Sequence, residues 1–273
     1  MDKNSKQPMK PLRIRKGNIF SIIRSAYQEQ GFYYLVKTAP MYLLDLCTKK
    51  IPNYLLLVYY KWCKSNETFE FQRKQYHFLF NIYCSTWKNE RCAVLPIIWQ
   101  VIQTYQNQAK TILEIGNVTS YYYPTRHDVL DKYEIMDDVI NEDVSEFRSI
   151  KKYDLIFSIV TLQSVGWNEY PREKGKILKT FENLMKLLTP EGVILVIHGL
   201  GENKDMDNLI NEGKLPFNKK FYLKKVNGFM WEETNWENIE GLEYDFSTPT
   251  ANGVVIGIIE NNPKDNSMLF NIL

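Results

Sequence analysis

The stretch TILEIGNVTS, residues 111–120, decides the fold of this chain. It contains an apolar run that leads into Glu114, Ile115 and Gly116. A strand that ends in an acidic residue and a glycine, with polar turn residues after it, is how a Rossmann-like nucleotide site begins. Only glycine lets a ligand come close to the backbone at such a bend. An ordinary strand and turn is the alternative, because Glu-x-Gly also occurs by chance.

Four later segments extend this pattern: HDVLD (127–131), VINED (139–143), KKYDLIFSIVTLQSVG (151–166) and, after a helix-patterned segment, LTPEGVILVIHG (188–199). This order resembles the class I S-adenosylmethionine-dependent methyltransferases over roughly residues 111–260. The resemblance is closest to small methyltransferase-like proteins that read EIGNV-x-S-x-Y at the first loop and often accompany sugar and glycan enzymes. It implies an α/β, Rossmann-like methyltransferase fold, with a mostly parallel seven-stranded sheet and helices on both faces.

The periodicity of the chain supports the same order of elements. Residues 153–160 are nearly continuously apolar, as expected for a central parallel strand. Residues 176–188 have apolar side chains at helical spacing, and residues 193–197 read as the next strand. Strands that alternate with helices imply right-handed crossovers and a parallel sheet. Residues 221–226 and 254–259 are β-rich, and the resemblance implies a late strand pair at the sheet edge.

Charge is distributed unevenly along the chain. Residues 1–65 contain twelve Lys or Arg and three Asp or Glu, a balance of +9, whereas the whole chain carries +2, so the remainder carries −7. A basic extension indicates an anionic partner. The acidic remainder makes a nucleic-acid groove unlikely in the main domain. We predict a flexible basic arm (1–17), a basic aromatic helical extension (18–84) and a methyltransferase-like Rossmann domain (85–273).

The extension has two interpretations. Its lysines lie among Tyr, Leu and Trp, so it is either a segment in a membrane interface or a helical subdomain packed on the main domain. Within it, residues 71–83 are helix-prone. After it, residues 85–107 lead into the main domain, and residues 86–105 predict a helix interrupted or kinked near Pro96. The longest apolar run, residues 54–60, is far shorter than the ~20 residues that span a bilayer. With no secretory signal pattern, we expect a cytoplasmic protein, with peripheral association on the inner membrane face left open.

The resemblance implies S-adenosyl-L-methionine as the cofactor and assigns residues to its parts. Ribose hydroxyls need a carboxylate after the second strand, where Asp131 fits best and Asp128 is the fallback. Asp143 matches the position that accepts the adenine amino group. No cysteine pair has metal-ligand spacing, so no metal is predicted. The predicted cofactor-binding residues are Glu114, Gly116, Asn117, Asp131, Asp143, Thr161 and Leu162.

Two departures from the family pattern leave room for a chain that keeps the fold and has lost catalysis. The family usually repeats glycine in the first loop, where this chain has Val118 and Ser120. A β-branched residue does not accept a positive φ cheaply, whereas Asn117 tolerates one. The family also often reads TLEHVG after the fourth strand, where this chain has Gln163 and Ser164.

An oxygen nucleophile needs a base, and histidine serves best near neutral pH. Among three histidines, we favour His198, which follows the fifth strand, over His127, and a structural role is the alternative for both. The tyrosines after Gly116 have two interpretations, contact with the sulfonium or a sugar ring and packing under the loop. The predicted substrate residues are Tyr121, Tyr122, Trp167, Tyr170 and Arg172.

The sequence therefore predicts an S-adenosylmethionine-dependent methyltransferase, with O-methylation of a sugar, glycan or small metabolite as the favoured reaction. The glycan preference comes from the family resemblance alone. The alternative is a catalytically silent methyltransferase-like domain that binds a partner or a membrane through its basic extension. A nicotinamide-binding oxidoreductase ranks third, because it requires the Gly-x-Gly-x-x-Gly pattern that Val118 breaks.

Overall fold

The computed structural model describes residues 51–262. The chain separates into two compact units, Met1–Leu56 and Leu57–Leu273. The predicted basic arm, residues 1–17, and most of the predicted helical extension lie outside the described residues. The described part begins with helix α1, Ile51–Cys63. No helix in residues 51–262 combines the length and apolar character needed to cross a membrane.

A β-hairpin follows α1, where residues 71–83 had predicted a helix. Strands β1 (Thr68–Phe71) and β2 (Lys74–His77) pair in antiparallel register. Gln72 and Arg73 connect them with φ values of 50° and 63°. Two consecutive residues at positive φ form the tight connection that matches the twist of paired strands. The helix prediction was wrong here because this turn, made by two residues without glycine, gives no strong sequence signal.

Helix α2, Arg91–Asn107, runs through Pro96 without ending. Proline has no N–H, so the carbonyl of Cys92, four residues earlier, loses its helical donor. The backbone N–H of Leu79 donates to this carbonyl instead, at 2.9 Å. A chain segment outside the helix therefore satisfies the group that Pro96 leaves free.

An eight-stranded sheet forms the centre of the second unit. Its order is β5-β4-β3-β6-β7-β10-β8-β9, and the first five strands of that order are parallel. Strands β10, β8 and β9 continue the sheet in antiparallel pairs. The strands are β3 (Ile112–Ile115), β4 (Asp128–Leu130), β5 (Val139–Ile140), β6 (Tyr153–Ile159), β7 (Leu188–Gly199), β8 (Lys219–Asn227), β9 (Met230–Thr234) and β10 (Gly253–Glu260).

This topology confirms the predicted Rossmann-like methyltransferase fold. Five parallel strands carry crossovers, and antiparallel strands close one edge, as the resemblance implied. The sheet has one strand more than the seven predicted. The extra strand, β9, has the short and charged sequence MWEET, and it follows a tight turn at Gly228 to pair with β8.

Helices cover both faces of the sheet. Alternate side chains of a strand point to opposite faces, so Phe157 and Ile156 of β6 enter different cores. Phe157 shares the first core with Leu95 of α2. Ile156 shares the second core with Phe181 of helix α3 (Lys176–Lys186) and Met206 of helix α4 (Lys204–Asn211).

The sheet order reverses beside β3. This strand pairs with β4 on one side and with β6 on the other. In open α/β sheets, ligands bind outside the carboxyl ends of the strands at such a switch point. The fold therefore directs attention to the loops that follow β3, β4, β5 and β6.

Ile156→Ala should lower the free energy of unfolding by about 2–5 kcal/mol, because it removes a fully buried side chain from the central strand. Ile150→Ala is the matched control, since this side chain is fully exposed, and it should change stability by less than ~0.5 kcal/mol. Urea denaturation of the two variants measures both values. Equal effects would contradict the placement of β6 at the centre of the sheet.

Candidate functional site

A cavity of about 210 Å³ lies at the switch point of the sheet. Four of the predicted cofactor-binding residues line it together, namely Gly116, Asp131, Asp143 and Thr161. They come from the loops after β3, β4, β5 and β6, and the carboxyl ends of those strands meet at one edge. The other lining residues are Ile115, Leu130, Lys132, Tyr133, Glu142, Val144, Ser164, Val165 and Glu169.

Gly116 is required by the local geometry. Its φ is +83°, and a Cβ there would lie 2.2 Å from Oγ1 of Thr161. A side chain is therefore excluded both by the backbone conformation and by the loop after β6. The Gly116 N–H donates to the carbonyl of Leu130 at 2.8 Å, so the bend is also tied to β4.

Glu114 holds the first loop from inside the protein. Its side chain is fully buried, and Oε1 accepts the backbone N–H groups of Val118 at 2.9 Å and Thr119 at 2.8 Å. Oε2 accepts the Thr119 hydroxyl and lies 2.9 Å from Nε2 of His127. The carboxylate therefore does not line the cavity. It holds the base of the loop, and its assignment near the amino group of a cofactor stays a prediction.

The first loop bends in its own way. Gly116 is the last residue of this segment with a positive φ, and Val118 has an ordinary φ of −107° before a short 3-10 turn at Thr119–Tyr121. Asn117 does not have a positive φ, although the sequence analysis had named it as the residue of this loop that tolerates one. Its side chain is buried and donates to Glu134 at 3.0 Å, so it does not line the cavity either.

Asp131 lines the cavity and also organises the loops around it. Its Oδ1 accepts the N–H groups of Tyr133 and Glu134 at 2.8 and 2.9 Å, and Oδ2 accepts the N–H of Asn117 at 3.1 Å. A carboxylate has about four acceptor positions. One position on Oδ2 therefore remains for a ligand. The fallback residue Asp128 lies at the other end of β4.

Asp143 takes part in an ion cluster, defined here as Lys132, Asp143, Glu169 and Lys176. Lys132 and Lys176 both donate to Oδ2 of Asp143 at 2.8 Å. Lys176 also reaches both oxygens of Glu169, at 2.9 and 2.7 Å. Ser145 donates its N–H and its hydroxyl to Oδ1 of Asp143. All four acceptor positions of Asp143 are therefore occupied.

The ion cluster joins three loops around the cavity. Lys132 follows β4, Asp143 follows β5, and Glu169 precedes α3. Lys176 is only 6% exposed and begins α3, where the helix dipole disfavours a cation. Its carboxylate partners offset both the burial and the dipole. Lys132 is 38% exposed and is the most accessible member of the cluster.

The charges in the cluster shift the pKa of each member. Burial raises the pKa of Asp143 and Glu169, but hydrogen bonds from the two lysines outweigh it and hold both values below their ordinary range. The hydrogen bond to Asp143 raises the pKa of Lys132. Burial lowers the pKa of Lys176, and its bonds to both carboxylates raise it further than burial lowers it.

The turn after β6 has strained backbone. Val160 has φ +48°, which is an outlier for a β-branched residue and costs about 1–3 kcal/mol. Such strain is concentrated at functional sites. Thr161, the next residue, lines the cavity, whereas Leu162 is buried and does not. The prediction that both residues lie beneath a cofactor therefore fits Thr161 better.

Both predicted catalytic histidines are buried. The side chains of His127 and His198 are each 1% exposed, and neither lines the cavity. His127 pairs with Glu114, and Nε2 of His198 lies 2.6 Å from Oδ1 of Asp207. This geometry contradicts direct contact between either ring and an acceptor. Sequence alone did not reveal the burial. His127 directly precedes β4 and His198 lies near the end of β7, and such positions do not determine whether a side chain points inward or outward.

The predicted substrate residues do not line the cavity. Tyr121 stacks on Tyr83 at 4.1 Å between centroids, and the Tyr122 hydroxyl donates to the Tyr83 carbonyl at 3.4 Å. The Arg172 guanidinium lies 3.8 Å from the ring centroid of Trp167. Their assignment stays a prediction, as does that of Tyr170, which is fully exposed.

The sequence reading missed Lys132, Glu169 and Lys176. Lys132 had one usable signal, since it directly follows the predicted ribose carboxylate. Glu169 and Lys176 had none. Lys176 bonds to Asp143 across 33 positions and Glu169 bonds to Lys132 across 37, and both contacts depend on how the loops pack.

No protein-family model matches the chain, and no curated protein matches it. Solved structures do match. The N-methyltransferase NodS of Bradyrhizobium japonicum, solved with S-adenosyl-L-homocysteine, is 13% identical, covers 66% of this chain and 95% of its own, and has a TM-score of 0.38.

Two further solved structures are similar to the same extent. A methyltransferase of Clostridium acetobutylicum is 11% identical, with 77% of this chain and 98% of its own covered and a TM-score of 0.31. A TehB-like methyltransferase of Corynebacterium glutamicum is 15% identical, with 59% and 97% covered and a TM-score of 0.34. Because these TM-scores lie below 0.5, the fold assignment rests on the strand order.

Acid should weaken the fold through the ion cluster. A carboxyl whose pKa is lowered on folding stabilises the protein above its unfolded pKa, and that contribution is lost as the pH falls through the folded value. Lowering the pH from about 5 to about 3 should therefore destabilise the wild type more than Glu169→Gln. Urea midpoints across this range measure the difference. Glu146→Gln, an exposed carboxylate outside the cluster, is the control and should follow the wild type.

Proposed function

We propose that this chain is an S-adenosylmethionine-dependent methyltransferase and that the cavity of about 210 Å³ receives the adenosyl part of the cofactor. One observation carries the proposal: Gly116, Asp131 and Asp143 line a single cavity at the switch point of the sheet. These residues are up to 27 positions apart in the sequence. Chance does not explain why they line one cavity at the sheet edge where such folds bind ligands.

The ribose is assigned to Asp131. Its Oδ2 has one acceptor position left, which suits one ribose hydroxyl. The three N–H groups that it already accepts fix the carboxylate in place and favour its charged form. Asp131 is therefore prepared for ligand binding before the ligand arrives.

The adenine is assigned to Asp143 and Val144. An adenine edge offers an amino donor beside a ring acceptor, and a carboxylate beside a backbone N–H complements both. Val144 lines the cavity, and its N–H has no hydrogen-bond acceptor within residues 51–262. Asp143 is fully occupied, so one lysine must release it. Lys132 is the lysine that can leave, because it is exposed and Lys176 is not.

The size of the cavity agrees with this requirement. Its volume of about 210 Å³ is below the ~300–1,000 Å³ of pockets that hold small molecules. Movement of the Lys132 side chain into water would enlarge it on the exposed side. The residues that remain, Asp131, Glu142, Asp143 and Glu169, leave an acidic site that suits a cationic cofactor.

When bound, S-adenosylmethionine supplies a sulfonium methyl group for transfer to an acceptor. The chain then has to position the two reactants in line. We assign an oxygen of a sugar, glycan or small metabolite as the acceptor, since the main domain is acidic and does not favour anionic polymers. We assign Thr161 and Ser164, which line the cavity on the turn after β6, to orient the transferring end of the cofactor.

A second candidate function is a catalytically silent methyltransferase-like domain. The full occupation of Asp143 by Lys132, Lys176 and Ser145 favours it, because those internal partners replace the contacts a ligand would make. Such a domain would keep the fold and act as a binding partner. Cofactor binding separates the two candidates.

Helix α1 supports a membrane-associated role for either candidate. None of its residues is buried, and Tyr54, Leu55, Val58 and Trp62 are each more than half exposed. Residues 1–65 carry a charge balance of +9. Exposed aromatic and aliphatic side chains with nearby lysines suit the interface of an anionic membrane. We propose that the protein is cytoplasmic and associates peripherally with such a surface.

Isothermal titration with S-adenosylmethionine tests the enzyme proposal. The wild type should bind with a dissociation constant on the order of micromolar, and Asp131→Asn should bind at least about tenfold more weakly, a loss of ~1.4 kcal/mol. Lys132→Gln should bind more tightly than the wild type, because it frees one acceptor position of Asp143.

Asp128→Asn is the matched control for this titration. Asp128 begins β4, the strand that Asp131 directly follows, and it accepts hydrogen bonds from Lys151 and Tyr153 away from the cavity. This variant should bind like the wild type. Absence of heat and of a thermal shift at millimolar cofactor, in the wild type and in Lys132→Gln, would favour the silent domain.

Cosedimentation with vesicles tests the membrane proposal. The full chain should sediment with vesicles that contain phosphatidylserine, and binding should weaken as salt rises because the lysines are screened. Trp62→Ala should reduce sedimentation. Tyr170→Ala removes a fully exposed aromatic ring outside α1 and serves as the control. Equal sedimentation of both variants would contradict a membrane contact through α1.

A further inference from the structure

A second cavity of about 460 Å³ lies between α4 and residues 236–246. Its volume falls in the ~300–1,000 Å³ range of small-molecule sites. Leu200 and Gly201, which directly follow β7, form part of its wall. It therefore opens at the same carboxyl edge of the sheet as the first cavity, one strand beyond β6.

The wall of the second cavity is fixed by tight contacts. Gly201 has φ +89°, and a Cβ there would lie 2.3 Å from the backbone nitrogen of Tyr244. The Gly201 N–H donates to Oδ2 of Asp207 at 3.0 Å. Oδ1 of Asp207 lies 2.6 Å from Nε2 of the buried His198. The second cavity is thus preformed, with His198 supporting a carboxylate in its wall.

Three aromatic side chains line the second cavity. Trp236 and Tyr244 are partly buried, and Phe246 is 72% exposed. Burial raises the pKa of Tyr244 to about 12, so its hydroxyl remains a hydrogen-bond donor at neutral pH. Aromatic faces with a few directed polar groups are the usual lining of a site for an organic ligand.

Polar side chains complete the lining. Five of these side chains form no hydrogen bond or ion pair within residues 51–262 that would compete with a ligand. They are Lys204, Asn208, Asn211, Glu240 and Glu243. Together with Asp207, these residues provide three carboxylates and one ammonium. The lining therefore has a formal charge of −2 and disfavours phosphorylated or carboxylated ligands.

We propose that this second cavity binds a saccharide that carries no anionic group, and that it is the acceptor site. Amides and carboxylates accept from sugar hydroxyls, while the aromatic faces contact the apolar side of the ring. An amino sugar fits best, because its ammonium adds attraction to the carboxylates and to the aromatic faces. The acceptor role rests on the proposed methyltransferase function, whereas the binding itself does not.

Saturation-transfer NMR on the full chain tests the binding. The probes are glucosamine and glucose 6-phosphate, which share a ring and differ in charge. We expect saturation of glucosamine protons and none of glucose 6-phosphate. Trp236→Ala should abolish the glucosamine signal. The double variant Glu240→Gln, Glu243→Gln should reduce it at least about threefold, because it removes two carboxylates that attract the ammonium group. Both carboxylates are exposed, so their removal should leave the core undisturbed.

Glu237→Gln is the matched control, because Glu237 is exposed in the same 3-10 turn as Trp236 and does not line the cavity. It should behave like the wild type. No transfer to glucosamine, equal transfer to both probes, or transfer that survives Trp236→Ala overturns the proposal. A chain that binds glucosamine and not S-adenosylmethionine would keep the saccharide site and refute the methyltransferase function.

Discussion

The buried carboxylate of Glu114 fixes the loop on which the candidate site depends. A fully buried carboxylate is costly unless every acceptor position is used. Two backbone N–H groups, the Thr119 hydroxyl and His127 use all of them. These bonds restrain the first loop, and Gly116 is held where its backbone meets Thr161. A loop with repeated glycines would be flexible, whereas the side chain of Glu114 makes this loop rigid from beneath.

The order of the central strands was predictable from sequence, whereas the β1–β2 hairpin and the edge strand β9 were not. The apolar runs of β3, β6 and β7 stand out because parallel strands buried on both faces are continuously apolar. Their observed bounds agree with the predicted runs to within a few residues. The β1–β2 hairpin and β9 are short and half-exposed, so their identity depends on partners that periodicity cannot show. The local apolar pattern was therefore sufficient to predict the central strands. The short strands could be identified only from the strands with which they pair.

The candidate site was predictable to the extent that topology dictates it. Gly116, Asp131 and Asp143 meet because the carboxyl ends of neighbouring parallel strands meet. The ion cluster was not predictable, since Lys176 reaches Asp143 only after α3 has packed against the loop that follows β5. The burial of the two histidines was not predictable for a related reason. A position at the end of a strand does not determine whether the side chain turns outward or, as for His198, into the protein.

The loss of the family's Glu-His pair does not by itself argue for a silent domain. Gln163 stands where the family has the acidic residue, and its amide donates to the carboxylate of Glu202 in the loop after β7. Burial raises the pKa of that carboxyl, and the like charge of Glu90 raises it further. An acid with elevated proton affinity is therefore still present at this edge, supplied by the neighbouring loop. The stronger argument against catalysis is the occupation of Asp143, and that occupation depends on one exposed lysine that a ligand can displace.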